Sequence, residues 1–180
     1  MKKSKAKKKT PKKSASKKSA SKKVSHPFFR GIPAKYADLI HKNSTVVSIE
    51  RGEHVFENGR RADSFFLILK GKVRLLAEEQ DVRFDTESKM GLLQELGPGE
   101  VVGWSWAIKP YRWRFFAQAH TDVQMLVVNG LTLRKTMEKD PLLAYEIYKR
   151  LVPVMNDRLI ASRLRLQMFG SKPYHTAEGG

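Results

Sequence analysis

The sequence predicts a mainly β protein with flanking helices: an eight-stranded β-roll or jelly roll followed by a long C-terminal helix. Three observations carry this. Short runs rich in β-branched and aromatic residues recur between residues 45 and 128. Glycine-containing turns separate most of them, and no helical stretches alternate with them as in β/α units. After Asp140-Pro141 the apolar spacing becomes helical and stays so to Phe169.

The elements follow in order. Residues 33–42 (PAKYADLIHK) place Tyr36, Leu39 and Ile40 on one face, with Pro33 in the first turn, and predict a short amphipathic helix. Residues 45–50 (TVVSIE) are β-branched; Arg51-Gly52 turns the chain into a second strand over 54–57, and Asn58-Gly59 turns it again. Residues 64–69 (SFFLIL) are apolar on both faces and predict a central buried strand. Lys70-Gly71-Lys72 leads into a strand over 73–77, and the charged stretch 78–89 reads as a hairpin tip or loop. Residues 92–96 form the next strand, closed by Gly97-Pro98-Gly99; 114–119 and 123–128 are two more, with a turn over 120–122. A short helix is predicted over 131–139. Asp140 is a good N-cap with Pro141 at N1, opening a helical stretch that Pro153 should kink or break. Within that stretch Val152, Met155, Leu159, Ser162, Leu166 and Phe169 step by 3, 4, 3, 4 and 3, the spacing of a coiled-coil seam. A homodimer through this helix is expected. A second stripe, Ile160, Leu164 and Met168, is expected to face the roll.

The 180 residues suit one domain of about 140 residues plus tails. The divisions expected are a disordered lysine-rich tail (1–25), the roll (26–139), the C-terminal helices (140–169) and a flexible end (170–180). With 41% hydrophobic residues the chain has material for a core. The absence of cysteine removes disulfides, cysteine-ligated zinc and iron–sulfur clusters. No apolar run approaches the roughly 18 residues of a membrane span, and no secretory signal is present. A cytoplasmic location is expected.

The net charge of +17 is concentrated in residues 1–25, which carry twelve lysines and no acid; the remainder is left at +5. Such a segment cannot bury enough apolar surface to offset its ordering entropy. Lys2, Lys3, Lys7, Lys8, Lys9, Lys12, Lys13, Lys17, Lys18, Lys22 and Lys23 form a polycation. It is either a solvated, solubilising tail or a binder of nucleic acid or an anionic membrane face. On DNA it would be non-specific, losing roughly three to five decades of affinity between 50 and 200 mM salt if it engaged 6–10 phosphates. No aromatic interleaves the lysines, which argues against base stacking.

Several spaced motifs resemble the cyclic-nucleotide-binding domain, the sensory half of the catabolite activator protein family. They are Arg51-Gly52-Glu53; Val55-Phe56-Glu57-Asn58-Gly59 with Ala62; Phe66-Leu67-Ile68 with Lys70-Gly71-Lys72-Val73; and Leu96-Gly97-Pro98-Gly99 leading to Val102-Gly103. Gly-Trp-Ser-Trp followed by Pro-Tyr-Arg-Trp further resembles a bacterial subset of stand-alone domains of this fold. The resemblance implies a regulatory role and a phosphate-binding turn and short helix after Gly103. It also implies a glutamate after that glycine for the ribose hydroxyl and an arginine for the cyclic phosphate. Here the glutamate position is Trp104 and the arginine position, aligned without gaps, is Trp113. Arg112 and Arg114 flank Trp113 and, on a strand, point to the opposite face. No acid lies between Val101 and Thr121.

The candidate pocket is therefore Gly103, Trp104, Ser105, Trp106, Ala107, Arg112, Trp113 and Arg114. Two arrangements fit it. In one, Trp104, Trp106 and Trp113 fill the space a nucleotide would take. In the other, indole faces stack a planar base while Ser105 and Lys109, Arg112 or Arg114 hold an anion; a cyclic nucleotide is the ligand to test. The five histidines show no metal spacing and no Ser/His/Asp arrangement stands out, so neither a metal site nor an enzyme is expected. Eleven residues, 170–180, follow the long helix, fewer than a helix-turn-helix domain needs, so operator binding is not expected. An adaptor role toward an unidentified protein partner is the remaining alternative.

Overall fold

The computed structural model describes residues 23–79 and 89–170. Two four-stranded antiparallel sheets form the roll. One has the order β1 (Ser44–Ile49), β8 (Val123–Asn129), β3 (Ser64–Lys70), β6 (Val101–Val102). The other has the order β2 (His54–Phe56), β7 (Phe116–Ala119), β4 (Val73–Glu79), β5 (Lys89–Leu96). The eight-stranded roll predicted from sequence is what forms. Three helices flank it: α1 (Ala34–Lys42), α2 (Gly130–Met137) and α3 (Pro141–Gly170). The lysines of residues 2–22, the charged stretch 80–88 and the end of the chain from 171 lie outside the described residues.

β3 organises the interior. Phe65, Phe66, Leu67 and Ile68 are all buried, as the doubly apolar run requires. Successive side chains of a strand point to opposite faces. Phe66 points into the roll and lies near Phe56 and Trp113. Phe65 points to the helical layer, against Phe28 and Trp106. The helical layer is closed by the N-terminal segment: the Arg150 Nε of α3 donates to the Phe28 carbonyl at 2.9 Å and its Nη2 to the Arg30 carbonyl at 3.0 Å. Val24 packs on this core, and Lys23 pairs with Asp38 at 2.7 Å.

The start of α3 follows its sequence signal. One Asp140 carboxylate oxygen accepts from the backbone N–H groups of Leu142 and Leu143, both at 3.1 Å, and from the Tyr36 hydroxyl at 3.0 Å. The Leu143 hydrogen bond, then that of Tyr36, holds this carboxyl below its ordinary value. A depressed pKa contributes stability above the unfolded-state value, and that contribution is lost as pH falls through the folded-state value. Asp140→Ala is accordingly expected to lower the urea midpoint at pH 7, with the difference from wild type closing in acid. Asp140→Asn, which keeps a capping oxygen, stays closer to wild type.

Of the kink or break expected at Pro153 the break does not occur, and a second expectation for α3 is corrected. The helix continues from Pro141 to Gly170. Pro153 is exposed, so the carbonyl one turn back, at exposed Lys149, has access to water, while buried Leu151 and half-buried Val154 hold the helix to the roll on either side. The stripe Ile160 and Leu164 does not face the roll either: both are about half exposed, at 49% and 56%. The inward positions are Ile147 and Leu151, which are buried, then Val154, Arg158 and Ala161, which are half-buried. The side chains of Leu166, Met168 and Phe169 lie outside the described residues.

Candidate functional site

The segment after β6 begins at Gly103, whose φ of +78° is the left-handed conformation that glycine tolerates best. A one-turn 3-10 helix over Ser105–Ala107 follows. Residues 111–113 then run antiparallel to 60–62. Arg61 lies opposite Arg112, the Trp113 N–H donates to the Arg60 carbonyl at 2.9 Å, and the Ala62 N–H to the Tyr111 carbonyl at 2.8 Å. This pairing fixes which side chains enter the roll. Trp113 goes in and is only 4% exposed. Its ring stacks on Phe56 with centroids 4.0 Å apart and an interplanar angle of 12°. It also lies directly beneath Gly103: a Cβ there would stand 2.6 Å from Trp113 Cζ3.

What remains open between Phe56, Leu75, Gly103, Trp104, Ser105, Trp113, Arg114, Phe115 and Arg158 is a hollow of about 20 Å³. That is room for about one water, against the several hundred cubic ångströms typical of ligand pockets. Among the described residues, no carboxylate lines it.

The structure brings together five of the eight candidate pocket residues: Gly103, Trp104, Ser105, Trp113 and Arg114 line this hollow. The other three lie elsewhere. Trp106 is fully buried on the opposite side of β3, stacked on Phe65 at 4.8 Å and 15°, and pressed against Gly130, where a Cβ would be 2.9 Å from its Cε3. The Trp106 carbonyl accepts from Arg134, which also donates to the Ala62 carbonyl and pairs with Asp63 at 3.2 Å. Ala107 lines a separate hollow of about 240 Å³ bounded by α2 and α3. Arg112 is exposed and donates to the Gly59 carbonyl at 2.7 Å. So one indole, not three, occupies the interior of the roll, with half-buried Trp104 at its edge.

Phe56, Leu75, Phe115 and Arg158 also line the hollow and were not among the candidates. Arg158 was detectable: an arginine at an inward position, seven residues after Leu151 in a 3–4 apolar rhythm, is out of place unless it meets something polar. Its Nη2 donates to the Val101 carbonyl at 3.4 Å and stands 3.9 Å from Glu100 Oε1. Nη1 is buried with no hydrogen-bond partner among the described residues. Burial pushes the guanidinium below its ordinary value, and Glu100 and Asp157 oppose that shift.

Elsewhere, His26 and His41 are buried and held below the ordinary histidine value by desolvation. Among the described residues no three His, Cys, Asp or Glu side chains group as metal ligands, and no helix is long and apolar enough to cross a membrane.

A β-roll with a glycine-led turn over its interior and a long helix packed on it is the architecture of the cyclic-nucleotide-binding domain fold. The chain belongs to the cyclic-nucleotide-binding domain family, whose model matches residues 46–140, more than half of its length. No curated protein sequence matches it significantly. Among solved structures, it resembles a cyclic nucleotide-binding-type protein of Geobacter metallireducens GS-15, with 25% identity over 74% of this chain and 92% of that one and a TM-score of 0.62. It shares its fold with a cyclic nucleotide-binding domain from Methylobacillus flagellatus KT, at 16% identity, 77% and 75% coverage, and a TM-score of 0.65. It likewise shares it with the Thermus thermophilus catabolite activator protein, at 23% identity and a TM-score of 0.60, covering 80% of this chain and 63% of that one.

Proposed function

We propose that this chain is a non-enzymatic, dimeric regulatory module in which an indole takes the place of the cyclic nucleotide. The observation that carries this is Trp113, at the position of the expected phosphate-binding arginine, stacked on Phe56 beneath Gly103 and leaving about 20 Å³. The glutamate of the ribose contact is replaced by Trp104, and among the described residues the lining supplies no other acid. Titration with cyclic AMP and cyclic GMP in a thermal-shift assay tests it. Saturation at 100-fold over Kd would stabilise the protein by about 2.7 kcal/mol; we expect no change in Tm. A rise of several degrees with either nucleotide defeats the proposal.

The dimer is supported by α3. Tyr145, Tyr148, Val152 and Leu159 are exposed at 59%, 43%, 58% and 51%. With half-buried Met155 they continue the 3–4 spacing two turns N-terminal of the seam seen in sequence. Exposed apolar stripes of this length mark an interaction site. Val152→Glu with Leu159→Glu is expected to shift the mass in light scattering from dimer to monomer while the circular dichroism spectrum is retained. Dimeric variants would rule out this face.

A second proposal concerns output. The twelve lysines of residues 1–25 favour a polyanion, nucleic acid or an anionic membrane, with the roll serving as the dimerising body in the cytoplasm. Gel shift of the full chain against a chain lacking residues 1–22 tests it; equal retardation of DNA by both excludes the tail as the DNA-binding element.

A further inference from the structure

We infer that the residual hollow beside Trp113 is a binding site for one halide-sized anion, held by Arg158 of α3. The inference rests on Trp113 filling the nucleotide site, because only then is the remaining space so small. Four observations converge on it. The Arg158 Nη1 is buried with no hydrogen-bond partner among the described residues, and a buried donor left unsatisfied costs the desolvation of that group. Its nearest carboxylate is a poor partner: Glu100 Oε1 is 3.9 Å away, and the other Glu100 oxygen is committed to the Gly97 N–H at 2.7 Å. A second guanidinium residue, Arg114, and the Ser105 residue line the same space, and among the described residues no acid does. The volume of about 20 Å³ is room for a single small ion or water.

An anion there completes the charge balance of Arg158, whose hydrogen bond to the Val101 carbonyl ties this stretch of α3 to the start of β6. Because Leu159 of the exposed stripe is the next residue, occupancy bears on how firmly the dimer face is presented.

The test uses the full chain. Its Tm is measured in sodium gluconate, whose anion is too large to enter, and then in sodium chloride and sodium bromide at the same ionic strength, so that screening of the lysines is constant. The halides are expected to raise Tm by about 2–4 °C. Arg158→Met is expected to lose that increment and, in gluconate, to stay close to wild type in stability, because the lost bond to Val101 is offset by removal of a buried donor that has no partner there. Bromide anomalous diffraction of wild-type crystals locates the ion independently of any variant, with a peak expected within hydrogen-bond distance of Arg158 Nη1. The inference is overturned if halides leave Tm unchanged, if the increment survives in Arg158→Met, or if the hollow holds only water. A Tm rise with cyclic nucleotide would instead overturn the filled-pocket proposal; failure of the halide effect alone leaves that proposal standing.

Discussion

Replacing Trp113 with alanine is expected to lower the unfolding free energy by about 3–5 kcal/mol. The indole is 4% exposed, stacks on Phe56 at 4.0 Å and lies 6.1 Å from the Phe66 ring. Truncation removes its transfer free energy and leaves a cavity that a closed roll collapses only in part. Urea denaturation measures the effect, with the m-value unchanged if the two-state transition is retained. Trp104→Ala is the internal comparison: Trp104 is half-buried at the edge of the hollow, so its loss is expected to cost less. Should Trp113→Ala cost under about 1 kcal/mol, well short of a filled core position, the ring does not fill the roll. The enlarged hollow would still lack the ribose-binding acid and an inward arginine on the 111–113 strand. Trp113→Ala is therefore not expected to gain cyclic-nucleotide affinity.

The roll was legible in sequence because its signals are local. β-branched runs give strands, and Asn58-Gly59, Gly71 and Gly99 mark reversals, all three glycines adopting positive φ. Gly71 shows how strict such a position is: a Cβ would stand 2.2 Å from the Asp122 carbonyl oxygen. Only β6, two residues long, had no pattern of its own, because its identity comes from pairing with Phe66 and Leu67. The site was legible in part. Proximity in sequence grouped Trp104, Trp106 and Trp113, yet Trp106 and Trp113 contact consecutive residues of β3, Phe65 and Phe66, and so lie on opposite sides of the sheet. That separation is a property of the pleat and of the long connection after Trp106, and no short-range pattern encodes it. α3 runs on through Pro153, where propensity alone allows a break, because Leu143, Ile147 and Leu151, all at most 1% exposed, anchor the helix through tertiary packing. Arg158 is hard to pick out in sequence because two neighbouring apolar stripes on the same helix dominate its periodicity; the inward stripe is the one that contains a charge.

Gly103→Ala is expected to destabilise the fold by about 2–5 kcal/mol, from two separable causes. The backbone at φ +78° disfavours any L side chain by about 1–2 kcal/mol. The new methyl would also meet Trp113 Cζ3 at 2.6 Å and Cη2 at 2.7 Å, with Phe56 Cε1 at 3.3 Å behind them. Overpacking of this kind costs about 1–3 kcal/mol, and the stacked Phe56 leaves the indole little room to retreat. A double-mutant cycle divides the two. In the Trp113→Ala background the steric part disappears and only the backbone part remains, so Gly103→Ala should cost about 1–2 kcal/mol there, giving a coupling energy of about 1–3 kcal/mol. Equal costs in both backgrounds would mean that Gly103 serves the turn alone. They would also mean that the indole is not packed against the glycine where the family resemblance places a cyclic phosphate. A large coupling makes Gly103 and Trp113 one structural unit, a glycine retained for close approach and an aromatic ring that approaches it.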